Sequence, residues 1–176
     1  MTGLSALMRL ARDEGGSAAA EMVLILPVAT FMLLVTLEAG HFMVKEHEVM
    51  KSVRDAARWG ARQPMASFGC TAAAGETALT GAMRDNVATL ARYGQLDTDA
   101  PLRVAGWTDA QVSVSYSCLD ITTVATGNGG LYSAQKFAPR ITVVATPNYP
   151  TLFGSAAGFL GTLKLFAKQQ AVVAGT

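Results

Sequence analysis

Residues 22–37, MVLILPVATFMLLVTL, form an uncharged apolar run, the only one in the chain near membrane length. A helix that crosses a bilayer needs about 20 predominantly apolar residues. The run reaches that length only by drawing in its flanks, SAAAE before it and EAGHFMV after it. The low-charge zone then extends from Ser17 to Val44 and contains two carboxylates, Glu21 and Glu38. A carboxylate resists entry into hydrocarbon. The two are 17 residues apart, roughly 25 Å of helix, close to the ~30 Å thickness of the hydrocarbon core. Each is therefore expected near one face of the membrane unless it has a partner. Pro27 lies inside the run; it removes one backbone hydrogen bond and favours a kink, which membrane helices tolerate.

A cleaved secretory signal is the competing reading. Its apolar core spans about 7–15 residues and is followed by small residues at the cut site. Here the run is longer, it ends in LEAGHFM, and the small residues, GGSAAA, precede it. The leader, residues 1–14, carries Arg9 and Arg12 beside Asp13 and Glu14. The arginines weakly favour a cytoplasmic N-terminus, with everything beyond residue 44 outside. The expected organisation is a leader over 1–16, a transmembrane helix over 17–44, a helix extension over 45–63 and an extracytoplasmic domain over 64–176.

Only 15% of the 176 residues are charged, against ~25% in soluble domains, so part of the chain avoids water. Net charge is +1 and no Lys/Arg run forms a nucleic-acid footprint. Cys70 and Cys118 are the only cysteines, 48 residues apart, a spacing that excludes a CxxC redox motif and a zinc knuckle. In an oxidising compartment they read as one disulfide, worth roughly 4 kcal/mol in the chain-entropy model. In a reducing compartment they read as two buried thiols.

Beyond the run the helical period continues. Val49, Val53, Ala56 and Gly60 share one face, and Lys45, Glu46, Glu48, Lys51 and Arg54 supply a wet one. Gln63–Pro64 is the expected stop. Residues 71–94 predict a second helix with Leu79, Met83, Val87 and Leu90 as its stripe and Gly94 as its C-terminal stop. Residues 95–109 read as loop. From Gln111 the period becomes two: Val112, Val114, Tyr116 and Cys118 alternate with Ser113, Ser115 and Ser117. Residues 140–146, RITVVAT, predict a second strand, and PNYP (147–150) bends away. Residues 151–160 are expected to be a mobile or short helical piece. A last strand places Leu163, Leu165, Ala167, Gln169 and Ala171 on one face. The fold class is α+β: a long N-terminal helix, then a small antiparallel sheet of three strands or slightly more with a helix packed on one face.

Chemistry is sparse. His41 and His47 lie on different helix faces, without a Cys/His/carboxylate cluster to complete a metal site. Asp97 and Asp99 lack EF-hand spacing and read as a solvated turn. TGNGG (126–130) lacks the lysine and strand-to-helix context of a phosphate loop and reads as a flexible hairpin loop. No nucleophile elbow or other catalytic motif is present. The expectation is a protein that is not an enzyme and uses no cofactor or metal.

A short polar leader, a glycine, small residues, a glutamate and an apolar helix, in that order, resemble the class III signal of type IV pilins and pseudopilins. The continuation AAAEMVLILPVATFMLLVTLEAGHFM is similar to the start of TadE-like pilus assembly proteins of tight-adherence systems, with Glu21, Pro27 and Glu38 in matching positions. It departs from that pattern at Met22, where an aromatic residue is usual, and in EAGH, where EFGR is more typical. The resemblance covers roughly residues 13–62. It implies cleavage between Gly16 and Ser17 by a prepilin peptidase, which makes Glu21 the fifth residue of the mature chain; a cut after Gly15 would make it the sixth. It also implies a pilin-like fold in a single-pass protein of the bacterial inner membrane, with its C-terminal domain periplasmic. The implied partners are sister pseudopilins and the pilus assembly platform. Glu21 and Glu38 are the implied assembly contacts, with the Ser17 amine as the counter-charge of Glu21. The alternative is an uncleaved, membrane-anchored binding module.

Overall fold

The computed structural model describes residues 15–122, 130–132, 135–153 and 163–175. The leader over 1–14, most of the expected TGNGG loop and the expected short helical piece beyond Phe153 lie outside the described residues. The chain divides into two compact units, Met1–Gly40 and His41–Thr176.

A 47-residue helix, α1 (Gly15–Ala61), contributes to both units. In the first unit every described residue is helical. Pro27 sits inside the helix and, lacking an N–H, offers no donor to the carbonyl of Val23. Thr36 donates its hydroxyl to the Met32 carbonyl at 2.8 Å, which satisfies the one polar side chain near the end of the apolar run.

In the second unit α1 is amphipathic as its sequence predicts. Val49, Val53, Ala56 and Ala57 are fully buried, while Lys51 and Arg54 are exposed. The helix stops at Ala61, and Pro64 leads into a short 3-10 turn, Met65–Phe68. The sheet has four strands in the order β1 (Ala74–Ala78), β2 (Val112–Asp120), β3 (Phe137–Ala145) and β4 (Ala167–Val172). Each pairs antiparallel with the next. A second helix, α2 (Gly81–Tyr93), lies between β1 and β2 in the chain. The α+β expectation holds.

Gly60 fixes the meeting of three elements. A β-carbon built there would touch Ile141 of β3 and Val87 of α2. The core around it gathers Val49, Val53, Val87, Trp107, Ile141 and Leu165. Burying each of the aliphatic side chains among these is worth about 1.5–3 kcal/mol. The inner face of the sheet carries Val112, Val114, Ile141, Val143 and Ala145, all buried. The opposite face is polar. Thr142, itself fully buried, accepts a bond from Gln170 Nε2 at 3.2 Å and donates to Glu76 Oε1 at 3.4 Å.

Three expectations need correction. The helix predicted over 71–94 starts only at Gly81, because residues 74–78 form edge strand β1 against β2, with Ala74 opposite Cys118 and Thr77 opposite Tyr116. Gly75 and Thr77 are poor helix formers, and sheet pairing satisfies their backbone instead. Gly81, at φ +74°, makes the turn from strand to helix in a conformation that glycine adopts without a Cβ clash. Leu79 thus precedes the helix, whose buried residues are Val87, Ala88 and Ala91; Met83 and Leu90 pack partly buried against the core. Gly94 ends it in the left-handed conformation, as predicted.

The second correction is to the strand expected from residue 140, which begins at Phe137 and includes Pro139. The Pro139 carbonyl accepts from Val173 N; its donor-less nitrogen faces the same side, where the Val173 carbonyl accepts instead from the Tyr132 hydroxyl at 2.7 Å. The third concerns Leu163, which is 40% exposed rather than on the inner face, while Leu165, Ala167 and Val173 are buried. The loop over 95–109 is a loop, but Val104 and Trp107 anchor it in the core.

Candidate functional site

The residues with the strongest functional expectation lie along α1. The Gly16–Ser17 bond falls in the first turn of the helix, and Gly16 is exposed. A β-carbon at Gly16 would meet no atom within 4 Å. Packing therefore gives no reason for a glycine there, although glycine in a helix costs about 1 kcal/mol relative to alanine.

Glu21 is exposed, whereas Glu38 is buried at 5% exposure and engaged in an interaction of its own. Seventeen residues at 3.6 per turn leave the two carboxylates about 100° apart around the helix axis, so they serve different faces. Between them the apolar side chains point outward all round. Leu24 is 74% exposed, and Phe31 and Met32 exceed half. The helix is long and apolar enough to cross a membrane. A helix that is apolar on all sides is stable only in lipid or among other apolar helices.

Cys70 and Cys118 form a disulfide, with Cα atoms 5.6 Å apart. Cys118 is buried on β2, and Cys70 lies just past the 3-10 turn that follows α1. The bridge ties the far end of α1 to the sheet. Of the two readings left open for the cysteines, the disulfide is found.

Two groupings carried no advance signal in spacing. His41 Nδ1 and the Tyr149 hydroxyl are 2.9 Å apart, and the Phe42 ring meets Tyr149 edge-on with centroids at 5.1 Å. Tyr149 is 4% exposed. His41 is thus a docking point for PNYP, while His47 is exposed. The clue lay in an aromatic residue between two prolines, a rigid segment that holds a ring in a fixed place. The second grouping is Arg84 on α2. It donates to the Asp109 carboxylate and, more weakly, to the backbone carbonyls of Asp109 and Val112. The hydrogen bond to Asp109 pushes the Arg84 guanidinium above its ordinary pKa. Arg92 reaches the same carboxylate at 3.4 Å. This cluster pins α2 to the start of β2.

The other acidic positions are local. Asp97 accepts from the Asp99 N–H at 3.0 Å, the geometry of a turn. Asp120 is held below the ordinary carboxylate pKa by the Thr122 hydroxyl and then the Thr122 N–H.

Residues 16–58 match the family model of TadE-like proteins. The match starts at Gly16, contains Glu21, Pro27 and Glu38, and ends three residues before α1 does. No curated protein and no solved structure matches the chain.

Proposed function

We propose, for a chain whose N-terminal segment is TadE-like, a role as a membrane-anchored subunit in the assembly of tight-adherence pili. A prepilin peptidase cuts after Gly16. The apolar part of α1 holds the protein in the inner membrane and packs with the helices of sister subunits. Glu21 is the docking charge, and it meets the α-amine of Ser17 on a neighbouring chain. The second unit lies outside the cytoplasm and contacts sister subunits or the assembly platform.

One observation carries this reading: of the two carboxylates in the low-charge zone, Glu38 is buried within the chain while Glu21 remains exposed on an apolar helix. A charge left unpaired in lipid is expensive, and a satisfied pair costs far less. A counter-charge from another subunit resolves that cost. The glycine at position 16, which packing does not require, supports recognition by a peptidase. The disulfide supports an oxidising compartment for the second unit.

A second reading, an uncleaved anchored module, draws on the helical course of α1 through the Gly16–Ser17 bond, which a peptidase must first unwind. Mass spectrometry of the mature N-terminus, in cells with and without the matching peptidase, separates the two. A peptidase-dependent start at Ser17 is expected. An intact Met1, or its simple removal, in both strains overturns the assembly reading and leaves the module.

A further inference from the structure

The disulfide has two unequal ends. Cys118 is 6% exposed on β2, opposite Ala74 of β1 and Pro139 of β3. Cys70 is only half-buried, just past the 3-10 turn. It forms part of the wall of a cleft of about 310 Å³. Ligand pockets span about 300–1,000 Å³, so this cleft suits a small ligand. Met65, Ala66, Phe137 and Pro139 give it apolar walls and Gln135 a polar one, while Cys118 is not among the described residues around it. None of the described lining side chains is a carboxylate, so an approaching anion meets no like charge there.

We infer that Cys70 is a site of reversible S-thiolation, where a small-molecule thiol of the glutathione class enters the cleft and opens the bridge. The incoming thiol gives its proton to water and attacks as the thiolate, the nucleophilic form. Its sulfur bonds to Cys70 Sγ as the Sγ–Sγ bond breaks. The electron pair leaves on Cys118, which takes a proton from water. The incoming sulfur is oxidised and the Cys118 sulfur reduced, so the thiol is the only co-reactant. Access decides which sulfur is attacked, and only Cys70 lines the cleft. Burial acts on the departure: it disfavours the Cys118 thiolate and makes it a slow leaving group, so opening needs a large excess of thiol. The fold holds the two Cα atoms 5.6 Å apart, and Cys118 recloses the bridge and expels the thiol once the excess is gone. Opening removes the covalent tie between the turn after α1 and the sheet. It leaves the backbone hydrogen bonds from Ala174 to Ala61 and from Met65 to Gly175 to hold that end of the helix.

The test incubates the full oxidised chain, in detergent micelles, with excess reduced glutathione. Exchange is stopped early with acid, free thiols are capped with N-ethylmaleimide, and peptide mass spectrometry reads which cysteine carries which group. Glutathione on Cys70 with maleimide on Cys118, roughly tenfold over the reverse, is the expected result. Removing the glutathione by gel filtration should restore the bridge. Urea exposes both sulfurs and should abolish the preference, so the ratio reports the folded site. Ala66→Trp narrows the cleft from an exposed position and should slow adduct formation severalfold. Ser67→Trp, also exposed and in the same turn but outside the cleft, should leave the rate unchanged. Thermal unfolding with the bridge intact checks that both variants fold. Glutathione on Cys118, or equally on both sulfurs of the folded chain, overturns the site. An adduct that forms only in urea overturns it as well. Equal rates for the two tryptophan variants overturn entry through the cleft.

Discussion

Gly60 of α1 and Ile141 of β3 approach so closely that a β-carbon on the glycine would lie 2.5 Å from Ile141 Cδ1. The helix can rest on the sheet at this depth only because position 60 has no side chain. Gly60→Ala gains about 1 kcal/mol of helix propensity but incurs an overpacking cost of about 1–3 kcal/mol. A net loss of about 1 kcal/mol is expected. Ile141→Val removes the clashing methyl and alone costs about 0.5–1.5 kcal/mol. The double variant should be more stable than the two single losses added together, and denaturant unfolding in detergent reads the difference.

Tyr149 combines ring packing with a polar tip, and two substitutions separate them. Tyr149→Phe keeps the edge contact with Phe42 and loses the His41 bond, at a cost of about 1 kcal/mol. Tyr149→Ala leaves a cavity under PNYP and costs about 3–5 kcal/mol. Equal losses in thermal unfolding for the two variants would show that the ring contributes nothing beyond its hydroxyl.

The Cys70–Cys118 bridge closes a 48-residue separation. Cys118→Ser should lose about 2–5 kcal/mol of stability, and the parent should become equally sensitive to heat once a thiol reductant is added. Non-reducing electrophoresis of protein from the native host checks the bond itself: a mobility that reductant leaves unchanged would mean two thiols.

Glu21→Ala tests the docking role. Membrane insertion should be normal, because the substitution only removes a charge from the apolar helix, while piliation is lost. Glu21→Gln should behave like Glu21→Ala, since the role assigned is charge and not shape. Unchanged piliation in both variants would return Glu21 to an interfacial charge with no duty in assembly.

Much of this molecule could be read from periodicity. The apolar run is helical over its whole length, the Val49–Val53–Ala56 face is buried as its spacing indicates, and the alternation from Val112 buries Val112, Val114 and Cys118, although Ser117 is buried as well. What escaped depended on partners far away in the chain. TAAAGETALT has the alanine content of a helix, and only the β2 edge beside it decides for a strand. Glu21 and Glu38 look alike in sequence, yet one is exposed and the other buried, a difference that no local pattern records. His41 invited a metal reading, whereas its partner is a tyrosine 108 residues away.

The order of the strands in the sheet is the order in which they leave the ribosome. Every ladder forms between a strand and its immediate predecessor, so pairing never waits for a strand that has yet to emerge, and contacts of short loop length favour rapid formation. Two backbone hydrogen bonds reach much further back: Ala174 donates to the carbonyl of Ala61, and Gly175 accepts from Met65. That clasp joins the last described residues to the end of a helix made long before. It forms only once the residues after β4 have been made, later than the contact of α1 with β3 around Gly60.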